Sequence, residues 1–169
     1  TFVGKSNKKH EIEINDEEIP DLPALVMMCK DAKKGKNDDL FLFYDEKGNE
    51  QDVKAYHVNE YIQDISGEKF TAKDFRTWGG TKLAAKSIAE FRKKDDKKQR
   101  KKNITKMVKE VSIKLGNTPA VCRGSYIHPR FLNDYLRGSF FRLWKETLGE
   151  QMYPLTENES RVIRYLENR

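Results

Sequence analysis

The chain has 169 residues, with 33 Lys and Arg against 27 Asp and Glu, for a formal net charge of +6. That length suits one domain with a real hydrophobic core, and a composition of 36% charged and 37% hydrophobic residues is polar without being that of a disordered chain. Two widely separated cysteines, Cys29 and Cys122, exclude a disulfide framework, and the lack of any long apolar run or signal peptide excludes a membrane span or export, so an intracellular setting is expected.

The chain opens without Met, inside what reads as a strand, and is therefore expected to be a fragment shortened at its N-terminus. Phe2-Val3 and the period-two run His10-Glu11-Ile12-Glu13-Ile14 flank a polar, basic turn, which predicts a β-hairpin over 1–14 with Lys5 at its tip beside Gly4. Pro20 and Pro23 introduce a helix from Leu25 to about Ala32, followed by a loop over 33–37. Residues 40–44 read as a short strand and 45–49 as a turn. A helix over 53–65 places Val58, Tyr61, Ile62 and Ile65 on one face and stops near Gly67. Thr71-Ala72-Lys73-Asp74 has the form of a capping box, with Asp for Glu, and starts a helix carrying Phe75, Arg76 and Trp78. Gly79-Gly80 beside them would let a phosphate approach the backbone closely.

Residues 92–102 hold eight basic and two acidic side chains and so carry the whole net charge, leaving a neutral body. Such a run is a solvated linker or helix, or else a contact for a polyanion. Ile104, Met107, Val108, Val111 and Leu115 then mark an amphipathic helix. Leu115-Gly116 ends it, because Gly tolerates the left-handed conformation. Thr118-Pro119 opens a short helix with Thr as N-cap and Pro at N1, and Pro129 closes it. Near the C-terminal end of that helix stands Tyr126, nine residues after Asn117 in its tight turn. Helical stretches follow at 131–136 and 140–148, and a last helix is capped within 155–159 and carries Val162, Ile163 and Leu166. A β-rich start followed by helices predicts an α+β fold, mostly α-helical, in one domain over 1–169.

A tyrosine so presented could attack a phosphodiester, or could simply pack. Attack makes definite demands. A phenol with a reference pKa of about 10 needs cations and hydrogen bonds to favour its anion. Charge growing on the phosphoryl oxygens suits a guanidinium fork, and the departing 5′-oxygen needs a proton from a nearby lysine or histidine. Arg76, Asn117, Tyr126 and Lys5 are one candidate for each demand. His10, His57 and His128 have no metal-ligand spacing.

Lys73-Asp74-Phe75-Arg76-Thr77-Trp78-Gly79-Gly80-Thr81 and Leu115-Gly116-Asn117-Thr118-Pro119-Ala120-Val121-Cys122-Arg123-Gly124-Ser125-Tyr126-Ile127-His128-Pro129 resemble the two signature blocks of type IB DNA topoisomerases in their compact bacterial and poxvirus-like form. Phe2-Val3-Gly4-Lys5 before His10-Glu11 is similar to that family's catalytic hairpin. The resemblance runs through nearly the whole chain in order. It implies the tyrosine recombinase/type IB topoisomerase catalytic fold and relaxation of supercoiled double-stranded DNA by a monomer. One strand is nicked through a 3′-phosphotyrosyl bond, swivels and is religated, with no ATP and no obligatory metal. It implies Tyr126 as nucleophile, Arg76 as a transition-state arginine, Lys5 as general acid and Asn117 as donor to a non-bridging oxygen, at a position where many relatives carry histidine. The family also uses an arginine upstream of the hairpin lysine, and its absence here implies a feeble or inactive fragment. A tyrosine recombinase or integrase shares this chemistry, but commonly carries His-x-x-Arg where Lys73 precedes Arg76. A non-catalytic DNA-binding module using the basic run is the alternative from another class.

Overall fold

The structure, a computed structural model, describes residues 2–4, 7–13, 20–32, 40–93 and 95–168. The chain divides into two compact units, Thr1–Thr71 and Ala72–Arg169. Among the described residues it is α+β and mostly helical, as the element order leads one to expect.

In the N-terminal unit, β1 (Phe2–Gly4) pairs antiparallel with β2 (Lys8–His10), with Phe2 opposite His10 and Gly4 opposite Lys8. The second strand therefore ends where the period-two alternation suggests it begins. Residues 11–13 lie outside the ladder, and Ile14 and the expected loop over 33–37 fall outside the described residues. Helix α1 (Leu22–Asp31) has Pro23 in its first turn, where a missing N–H costs nothing. A second hairpin joins β3 (Leu42–Tyr44) to β4 (Glu50–Asp52). Its turn is built by Asp45, whose carboxylate accepts the backbone N–H groups of Lys47 (3.0 Å) and Asn49 (2.8 Å). Those bonds, that of Asn49 above all, hold the carboxyl below its ordinary pKa. Helix α2 (Ala55–Ser66) starts where the Lys54 N–H donates to His57 Nδ1 (3.0 Å) and stops at Gly67, whose φ of 68° suits glycine. Neither α1 nor α2 contains a buried residue.

The C-terminal unit holds the core. It comprises α3 (Ala72–Ala89), α4 (Lys97–Lys114), α5 (Pro119–Ser125), α6 (Pro129–Arg137), α7 (Phe140–Lys145) and α8 (Glu157–Glu167). Helix α4 starts seven residues before its apolar stripe, because Asp96 caps it by accepting the Gln99 N–H at 2.7 Å. The second half of the basic run is thus helical. Ile104, Met107, Val108 and Val111 of α4 are buried with Ala84, Ala85 and Ile88 of α3. Around them gather Cys122, Phe131, Leu132, Tyr135, Phe140, Trp144, Val162 and Tyr165. Phe131 stacks on Tyr165 at 4.6 Å between ring centroids, and Phe140 on Trp144 at 5.4 Å. The Tyr165 hydroxyl donates to Asp134 Oδ2 (2.9 Å); burial, with that carboxylate, pushes its pKa upward. Thr156 and Glu159 form a reciprocal capping box at the start of α8.

Pro129 behaves differently from the expectation. Helix α5 has already ended when the chain reaches it, and Pro129 opens α6 instead, with extended His128 as N-cap accepting the Arg130 N–H through Nδ1 (3.3 Å).

Candidate active site

The C-terminus of α4 shapes one side of the site. Gly116 takes φ 67°, its N–H bonds the Ile113 carbonyl (3.0 Å), and the Asn117 N–H bonds the Ser112 carbonyl (2.8 Å). This pair of bonds is a Schellman motif, so Asn117 is held by its own backbone. The motif leaves the Leu115 carbonyl without a helical partner. Two side chains take it up: Asn117 donates Nδ2 at 2.9 Å, and Arg76 of α3 donates Nη2 from 39 residues away. One orphan carbonyl thus gathers a guanidinium and an amide that sequence alone could only nominate separately.

The other side is Tyr126, the C-cap of α5. Thr118 caps the helix start by accepting the Val121 N–H (3.3 Å), with Pro119 in the first turn. The Tyr126 N–H still bonds the Cys122 carbonyl (3.0 Å), after which φ −123° and ψ −7° take the chain out of the helix. The half-buried Tyr126 ring lies beneath Arg76, whose guanidinium carbon is 5.4 Å from the ring centroid, within cation–π range. Arg76 is itself exposed, and its remaining N–H groups are able to meet an incoming anion. Arg76, Asn117 and Tyr126 therefore come together, and Lys5 lies outside the described residues.

Gly80 has a use that its sequence does not announce. A Cβ on Gly80 would run into the Tyr126 carbonyl oxygen and come within 3.1 Å of its carbonyl carbon and Cβ. Gly80 makes room for the tyrosine's backbone, whereas a Cβ on Gly79 would meet nothing within 4 Å. Two threonines that sequence reasoning missed flank this seat. Thr77 Oγ1 donates to the Lys73 carbonyl (3.1 Å) and reaches the Ser125 carbonyl (3.4 Å). Thr81 Oγ1 donates to the Tyr126 carbonyl (3.4 Å) and accepts the His128 N–H (3.1 Å). Their partners lie 45 to 48 residues away, so no local pattern announces them. The nearby Cys122 thiol is fully buried, and burial raises its pKa.

Among the described residues no three His, Cys, Asp or Glu side chains group to hold a metal ion, and no helix is long and apolar enough to cross a membrane. What converges is a phenol, a guanidinium and an amide, which are groups with the chemistry to attack a phosphodiester and to donate to an anion.

Comparison with known proteins bears on the same residues. A family model described as the catalytic core of eukaryotic DNA topoisomerase I matches residues 1–138, ending with α6 and containing Lys5, Arg76, Asn117 and Tyr126. The DNA topoisomerase 1B of Acanthamoeba polyphaga mimivirus is 33% identical over 133 residues. That alignment covers 75% of this chain and 38% of the relative's length.

Proposed function

The chain belongs to the DNA topoisomerase I catalytic-core family, and from that premise we propose that it relaxes supercoiled double-stranded DNA by transient cleavage of one strand. The observation that supports this best is the meeting of Arg76, Asn117 and Tyr126 around the Leu115 carbonyl. In the reaction we assign, the Tyr126 oxygen attacks a backbone phosphorus and gives up its proton to solvent. The new O–P bond leaves a 3′-phosphotyrosyl linkage, and the P–O5′ bond breaks. The 5′-oxygen departs as a hydroxyl with a proton supplied by Lys5. Arg76 offers its free N–H groups to the phosphoryl oxygens as charge grows there. Asn117 donates an amide N–H to a non-bridging oxygen, a neutral contribution that does not titrate.

One phosphodiester is exchanged for another, so the free end swivels and returns without ATP, and no obligatory metal enters the scheme. A monomer suffices, because one tyrosine opens and closes one strand. The setting we assign is intracellular, on viral or bacterial DNA, in keeping with the viral relative.

The test uses a labelled duplex that sheds a short 5′-leaving strand on cleavage, in EDTA, quenched with SDS. A covalent adduct is expected, and Tyr126→Phe should abolish it with duplex affinity unchanged within about threefold, since one buried-edge hydroxyl contributes little to a phosphate-dominated interface. An adduct that survives Tyr126→Phe overturns the reading, and duplex binding with no adduct, from this chain and from a longer one that supplies the upstream arginine, leaves a DNA-binding module.

A further inference from the structure

The face of α3 toward the nucleophile carries two rows, each with residues four apart and so stacked one turn above the other. One row is Arg76 and Gly80, the other Thr77 and Thr81. Arg76 meets the Tyr126 ring and Gly80 the Tyr126 backbone. Thr77 meets the carbonyl just before the tyrosine, and Thr81 the carbonyl of the tyrosine itself.

Thr81 is buried, with 3% of its surface exposed. Residues 126–128 have left α5 and not yet entered α6, so the Tyr126 carbonyl and the His128 N–H have no helical partner there. A single hydroxyl serves both, as donor to one and acceptor from the other, and so brackets the buried Ile127. The alternating roles use both capacities of one hydroxyl, which no apolar side chain could replace.

We infer that Thr81 is a positioning residue, its hydroxyl fixing the backbone on either side of Ile127 so that the Tyr126 phenol is held in register with Arg76, while Gly80 leaves the space this needs. The inference rests on Tyr126 being the nucleophile. Its physical content is alignment: a displacement of about 1 Å at a reacting atom is enough to cost about a hundredfold in rate. An alignment defect acts on one transition state reached from both sides. It therefore slows cleavage and religation equally and leaves the cleavage equilibrium and duplex affinity alone.

Thr81→Val keeps the shape and removes the hydroxyl. Single-turnover cleavage and religation are expected to slow together by about 10- to 100-fold, with duplex affinity and the cleavage equilibrium unchanged. Thr81→Ser, which retains the hydroxyl, should recover most of the loss, and Gly80→Ala should slow both steps like Thr81→Val. The same rate as the parent in a folded Thr81→Val protein, or Thr81→Ser as slow as Thr81→Val, overturns the inference and reduces Thr81 to a packing residue.

A second readout does not depend on turnover. With 3-fluorotyrosine placed at 126, Thr81→Val should shift the fluorine resonance and speed exchange of the His128 amide, and Thr81→Ser should restore both. If neither the parent chain nor a longer one supplying the upstream arginine forms an adduct with the duplex, the nucleophile reading fails by itself. An unmoved fluorine resonance then overturns the positioning role separately.

Discussion

The two units of this chain spend their apolar residues in opposite ways. In the C-terminal unit Phe131, Phe140, Tyr135 and Tyr165 are essentially sealed from solvent, and helices α3, α4, α6 and α8 share one core. In the N-terminal unit α1 and α2 seal nothing, and Met28, Tyr61 and Ile65 each keep 65 or 66% of their surface exposed. The chemistry is divided along the same line. Arg76, Asn117 and Tyr126 belong to the cored unit, while the general acid assigned to Lys5 belongs to the other. The groups proposed to hold the transition state stand on that packing. The group proposed to deliver a proton to the leaving oxygen comes from the unit whose helices bury nothing.

The difference should be plainest in hydrogen exchange. Amides in the middle of α3 and α4 should be protected at least a thousandfold more than those of α1 and α2, since opening the former requires breaking the shared core. Comparable protection in both units would dissolve the contrast. Next in size, Phe131→Ala should destabilise the C-terminal unit by about 3–5 kcal/mol in denaturant, by removing a ring stacked on Tyr165 at the centre of the aromatic cluster. Tyr135→Phe removes a hydroxyl that accepts from Asn103 Nδ2 at 2.8 Å and should cost about 1–2 kcal/mol.

A smaller effect is set by pH. The Lys82 ammonium, 2.6 Å away, and then the bonds from Thr156 lower the Glu159 carboxyl from an ordinary 4.5 to about 2. The folded carboxylate takes up its proton less readily than the unfolded one. Its stabilisation is therefore whole above about pH 4.5 and fades as the pH falls toward 2. Glu159→Gln should remove that part of the acid limb, about 1 kcal/mol for a pair still open to water, from melting curves taken between those values. Smallest of all, Tyr61→Ala in α2 should change stability by no more than about 0.5 kcal/mol, as befits a side chain 65% exposed. A cost several times larger would mean that α2 is covered in solution.

Local grammar explains what the sequence made legible and what it hid. Thr118-Pro119 and Leu115-Gly116 act on the backbone within a few residues of themselves, so the end of α4 and the start of α5 could be read directly. The start of α4 was hidden because a run of lysines has no apolar period, and only Asp96 marked it. Strand β4 was hidden because Glu50-Gln51-Asp52 carries no apolar residue at all, being specified by the turn before it. Pro129 carried a true signal with an ambiguous sign, since a proline that forbids one helix can begin the next. In the site, Arg76, Asn117 and Tyr126 could be named from their chemistry, but what joins them is a main-chain carbonyl, and a carbonyl has no letter. Thr81 was invisible for a related reason: a threonine inside a helix looks the same whether its hydroxyl is idle or joined to residues 45 and 47 positions away.

The stacking of Arg76 over Gly80 and of Thr77 over Thr81 also governs which changes in chain length can be accommodated. Each residue added to or removed from a helix turns everything beyond it by about 100°. A single insertion between Arg76 and Thr81 would leave every side chain in place chemically, yet swing the tyrosine's seat to a different side of the rod from the arginine. In this molecule the short stretch 76–81 works as a gear whose tooth count cannot change.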